Sequence, residues 1–122
     1  AKDAGTGEVT RLVEVRERGR YYFKPLLLRD NELTVKGLHA AIARLFEGMG
    51  HKPVWTGVTP RYLRRDYYND GHLHIHRVYP HDSHQRDAMY GPAGLTTDEK
   101  VRRQVDTGGY MGRCPQLEVI FV

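Results

Sequence analysis

Along this chain the apolar residues fall first at every second position and then at every third and fourth. From Glu8 to Arg16 the run EVTRLVEVR is rich in β-branched residues, with Val9, Val13 and Val15 on one face, which predicts a strand. Glu17-Arg18-Gly19-Arg20 is a short glycine-bearing connection suited to a hairpin. Tyr21 to Arg29 (YYFKPLLLR) reads as a second strand, and Pro25 inside it removes a ladder donor, which suits a sheet edge or a bulge. Asp30-Asn31 is turn chemistry. Thr34 then caps a helix running to about Phe46 or Gly48, because Leu38, Ala41, Ile42, Leu45, Phe46 and Met49 make one apolar stripe. Leu33 and Leu38 are spaced as a hydrophobic staple, and Gly48 and Gly50 are natural terminators. Gly37 costs the first turn up to ~1 kcal/mol relative to Ala.

Beyond the helix, Val54–Val58 suits a short strand and Pro60–Asp70 an exposed loop or strand of basic-aromatic character. His72 to Tyr79 (HLHIHRVY) alternates strictly, with Leu73, Ile75, Arg77 and Tyr79 on one face and His72, His74, His76 and Val78 on the other. Residues 80–95 are polar and rich in Gly and Pro, as in a long loop. Thr96-x-x-Glu99 is a capping-box pattern that opens a short helix to about Val105. Gln116 to Val122 (QLEVIFV) is a closing strand too apolar for an exposed edge, so a central place in the sheet is expected. This order predicts an α+β fold of the ubiquitin-like β-grasp kind, with a mixed sheet, one main helix and one short helix. A ferredoxin-like sandwich would want a second long helix that the sequence lacks.

At 122 residues the chain is one domain's worth of sequence, read as a frayed polar segment over 1–7 and a single domain over 8–122. No apolar run approaches the ~20 residues of a membrane span, so no membrane partner is expected. The one cysteine, Cys114, excludes an internal disulfide framework and, with the missing targeting signal, leads us to expect a cytoplasmic location. The formal charge is +4. Lys and Arg outnumber Asp and Glu in both halves of the chain, so there is no basic tail. The basic character is local: Arg16, Arg18, Arg20 and Lys24 at the hairpin, and Arg61-Tyr62-Leu63-Arg64-Arg65-Asp66-Tyr67-Tyr68 later on.

Several short stretches resemble the doublecortin domain. They are Val15 to Lys24 followed by Leu26-Leu27-Leu28, the helix Leu38 to Phe46, Arg77-Val78-Tyr79-Pro80-His81-Asp82, and Gly108-Gly109-Tyr110-Met111. Together they cover about half the chain. The resemblance implies a β-grasp domain that binds the acidic surface of tubulin polymers and resides at the cytoskeleton.

Interleaved guanidinium groups and aromatics suit a protein partner's acidic peptide, or phosphates and stacked bases. The expected function is therefore a non-enzymatic, cofactor-free protein-interaction domain, binding tubulin or another cytoskeletal component through Arg18, Arg20, Arg61, Arg64, Arg65, Tyr67 and Tyr68. A nucleic-acid-binding module using the same basic-aromatic loop is an alternative. A second alternative is a metal-dependent hydrolase. Alternate strand residues share a side, so His72, His74 and His76 could converge on zinc, nickel or copper. The same run also suits a solvated strand face. Cys114, without a histidine at motif spacing, suits a buried or half-buried thiol rather than a nucleophile.

Overall fold

A computed structural model describes residues 9–48, 75–81, 94–109 and 113–121. Strands β1 (Thr10–Glu17) and β2 (Lys24–Arg29) come first, followed by a 3₁₀ turn (Asp30–Glu32) and helix α1 (Val35–Glu47). Strand β3 (Ile75–Pro80), helix α2 (Asp98–Thr107) and strand β4 (Gln116–Phe121) complete the described elements. The fold is α+β: one four-stranded mixed sheet in the order β2-β1-β4-β3, with two helices. β1 runs antiparallel to β2 and parallel to β4, and β4 runs antiparallel to β3.

The hairpin turns because Arg20 N–H donates to Glu17 O at 3.0 Å, and Gly19 supplies the required φ of 92°. Pro25 sits opposite Glu14 on β2, the edge strand, where a missing N–H costs the ladder least. β2 starts later than expected, at Lys24, and Tyr21 and Tyr22 project from the hairpin end into solvent. Val9 does not join the inner face with Val13 and Val15. It lies outside β1 and is exposed.

Thr34 caps α1, its hydroxyl oxygen accepting from Gly37 N–H at 2.9 Å. Gly37 has a steric reason to be there: a Cβ would lie 2.8 Å from both the Cα and the carbonyl oxygen of Glu32. The first turn of α1 thus seats directly on the 3₁₀ turn, which a side chain would prevent. Asp98 Oδ1 accepts from Val35 N–H at 2.9 Å and joins the starts of the two helices. The cap of α2 is Thr97, whose hydroxyl accepts from Lys100 N–H at 3.2 Å, and not Thr96 as the S/T-x-x-E spacing suggested.

One core fills the space between the sheet and the helices. Val13, Val15 and Leu28, Val78, and Leu117, Val119 and Phe121 meet Leu38, Ala41, Ile42 and Phe46 of α1 and Val101 and Val105 of α2. Phe46 and Phe121 pack edge to face at 5.4 Å. β4 is buried along its length from Leu117 to Phe121, as a strand between two others must be.

The strict alternation read over His72–Tyr79 does not hold in β3. Ile75 faces Phe121 while Arg77 faces Ile120, so His76 is an extra residue in a bulge. After it, Val78, Tyr79 and Pro80 are all buried. Gly94, at φ +76°, lies against this strand, with room for no more than hydrogen at its Cα. Leu95 N–H there donates to Val78 O at 2.9 Å. The expectations for residues 1–7, Val54–Val58, Pro60–Asp70 and His72–His74 lie outside the described residues.

Candidate interaction surfaces

Each inner-face position on β1 and β4 has an outer-face neighbour. Arg16 on β1 stands beside Glu118 on the parallel β4, and Tyr79 of β3 is on the other side of Glu118. The Arg16 guanidinium lies 3.0 Å from Glu118 Oε2, and Arg18 Nε donates to Oε1 at 2.5 Å. Arg16 also lies over the Phe23 ring at 5.1 Å, and Arg18 over the Tyr79 ring at 4.8 Å. His81 Nδ1 is 3.4 Å from Glu118 Oε2, and its ring meets Phe23 edge-on at 5.0 Å. Burial pushes the Glu118 carboxyl up. The hydrogen bonds and charges of Arg18 and Arg16 outweigh that and hold it below the usual carboxylate range.

Arg18 is thus drawn onto the sheet by a buried carboxylate and an aromatic ring, and its Nη2 is buried without a hydrogen-bond partner. Arg20 behaves differently. It is half exposed and reaches back to Glu17, whose buried carboxylate oxygen lies 3.6 Å from its Nε. Beyond it, Tyr21 is 88% exposed and Tyr22 is 82% exposed. Their aromatic, β-prone letters read as strand, so sequence reasoning did not mark them as surface residues. The signal available was their place right after the turn glycine, where a hairpin connection is exposed by construction.

Of the remaining candidates, Arg61, Arg64, Arg65, Tyr67, Tyr68, His72 and His74 lie outside the described residues. His76 is exposed in the bulge of β3. Near it a small cavity of about 140 Å³ is lined by His39, Val78 and Leu95, among others, and burial lowers the pKa of His39. Among the described residues no group of three or more His, Cys, Asp or Glu is arranged to hold a metal ion. Cys114 is half-buried, and its thiol donates to Glu14 Oε1 at 3.5 Å. Burial and then the Glu14 carboxylate push that thiol up, away from the thiolate a nucleophile needs.

A second polar cluster ties elements together at the surface. Asp30 lies 3.1 Å from both Arg11 and Arg102, and Arg11 Nε reaches Asp106 at 2.6 Å. Arg102, then Arg11, hold the Asp30 carboxyl below its usual value. Exposed pairs of this kind stabilise little and orient the 3₁₀ turn against α2.

No protein-family model matches the chain, and no solved structure matches it. Among curated proteins it is similar to a fucosyltransferase-like protein of Arabidopsis thaliana, 35% identical over 110 residues. The match takes in 90% of this chain and 20% of that protein, so the chain spans about a fifth of its relative's length.

Proposed function

We propose that this chain is a non-catalytic interaction module of the ubiquitin-like β-grasp type, carried within a larger protein, and that it docks an acidic partner through the end of the β1–β2 hairpin. Three features support the β-grasp reading: the opening hairpin, the helix that follows it, and a last strand parallel to β1 between β1 and β3. The observation that carries the docking site is the exposure of Tyr21 and Tyr22 beside Arg20. Tyr and Arg are the residue types that interfaces concentrate, and two neighbouring tyrosines held out in water have no core to serve. The partial doublecortin resemblance makes the acidic surface of polymerised tubulin the specific partner to try.

The fucosyltransferase-like relative favours a second reading, in which the module sits beside a sugar-transferring domain and the same tyrosines stack on sugar rings. Co-sedimentation with polymerised tubulin and a fucosylated-glycan binding assay, each run with wild type and with the Tyr21→Ala/Tyr22→Ala variant, separate the two. The first reading expects pelleting with tubulin that weakens with added salt and is lost in the variant. Glycan binding lost in the variant, without pelleting, supports the second. A variant that binds either one as well as wild type removes the hairpin end as the docking site.

A further inference from the structure

We propose that β2 pairs with β2 of a second copy of this chain, antiparallel and with Leu27 opposite Leu27 of the second copy, so that one sheet runs through a symmetric dimer. β2 is the edge strand of the described sheet. The direction of its backbone groups follows from the ladder. Glu14 N–H donates to Pro115 O, just before β4, at 2.9 Å, so Glu14 turns away from Pro25, its neighbour on β2. Successive residues of an antiparallel pair alternate in this respect, so Pro25, Leu27 and Arg29 turn their backbone groups away from β1. Arg29 N–H accordingly donates outward, to Glu32 Oε1 at 2.9 Å. With Leu27 on the two-fold axis, its N–H and C=O meet the C=O and N–H of its counterpart. Pro25, which has no N–H, and Arg29, whose N–H is already bonded, then fall opposite each other and leave the Leu27 rung intact.

The side chains select this occupant and this register. On the outer face Leu27 pairs across the strands with Leu12, and the two are 61% and 46% exposed. The two-fold axis sets this pair against its own copy, so Leu12 and Leu27 of both chains form one apolar strip across the joint. Three residues to either side of Leu27, Lys24 stands opposite Asp30 of the second copy. Both groups are on the helix side of the sheet, Lys24 Nζ at 5.8 Å from the Phe46 ring centre and Asp30 against Arg102 of α2. Arg11 and Arg102 both meet Asp30 at Oδ1, and its Oδ2 has no partner among the described residues. Opposite charges thus face each other at both ends of the joint, and no like charges do. A shift of two residues in either direction sets Leu27 against Pro25 or Arg29 and breaks the apolar strip. On the helix side, Leu26 and Leu45 wall a groove that reaches this edge and meets its own copy across the joint. A joint of one strand pair is small, so the dissociation constant lies above about 1 μM.

The test is sedimentation velocity of the whole chain from about 10 μM to about 1 mM, on wild type, Leu27→Lys, Leu27→Glu and an equimolar mixture of the two variants. Wild type is expected to pass from monomer toward dimer across this range. The Leu27 side chain faces solvent in the single chain, so either charge is accommodated there. Each variant alone sets like charges together at the two-fold axis and should dimerise at least about tenfold more weakly than wild type. The mixture sets Lys against Glu and should dimerise at least about fivefold more tightly than either variant alone. Wild type that stays monomeric at about 1 mM overturns the proposal and leaves the edge to a strand of another protein. So does a Leu27→Lys variant that dimerises as wild type does, or a mixture that dimerises no better than its components.

Discussion

On the helix-covered face of the sheet, Val13, Val15, Val119 and Phe121 are at most 1% exposed and belong to one hydrophobic cluster. One position along, on the opposite face of the same two strands, stand Glu14, Arg16, Gln116 and Glu118, joined by hydrogen bonds and ion pairs. The first face gains stability by removing apolar surface from water, about 25 cal/mol for each Å². The second has a buried carboxylate to satisfy and does so with two guanidinium groups, each lying over an aromatic ring. Apolar packing is insensitive to pH and tolerates swaps of equal volume, whereas an ion-paired face depends on each partner and on its charge state. The docking surface proposed at the hairpin end lies at the margin of both, where Tyr21 and Tyr22 are exposed.

The largest separation between the faces comes from truncating the inner one. Phe121→Ala removes the ring that meets Phe46 and should cost about 3–5 kcal/mol in urea unfolding. A loss near 1 kcal/mol would mean that the inner face is not the main source of stability. Gly37→Ala should cost about 1–3 kcal/mol by lifting α1 off the 3₁₀ turn, although alanine is the better helix former. A stabilised variant would show that the close approach relaxes freely. Thr97→Ala should cost about 1 kcal/mol and Thr96→Ala well under half of that, since Thr97 is the cap. Tyr21→Ala with Tyr22→Ala should leave the melting temperature within a degree or two, about 0.5 kcal/mol at most, while abolishing partner binding.

How much of this was legible beforehand follows the same division. The inner face could be read because its rules are local. The stripe from Leu38 to Phe46, the Thr34 cap, Pro25 at an edge and the apolar β4 each follow from a few neighbouring letters. The outer face could not. Arg16 and Arg18 meet Glu118 only because β1 and β4 pair in one particular parallel register, which no stretch of sequence states. The bulge at His76 is likewise a property of pairing with β4, and it redirects every later side chain of β3. Arg18 and Arg20 look equivalent as letters. The register turns the first onto Glu118 and leaves the second at the hairpin end near Tyr21 and Tyr22. The fucosyltransferase-like similarity came from comparison alone, since no motif in the chain points to sugar chemistry.

The claim that the outer face is held by charge is tested most directly by unfolding free energies of wild type and Glu118→Gln, measured across pH. The Glu118 carboxyl titrates below its ordinary value of 4.5 when folded, so its contribution is complete above the unfolded-state value and is lost as pH falls through the lower folded-state value. At pH 7 the variant should be less stable than wild type by about 1–2 kcal/mol, and the gap should narrow as pH falls below 4.5 and wild-type Glu118 takes up its proton. Two curves that coincide at pH 7, or a gap that widens on acidification, would contradict the account.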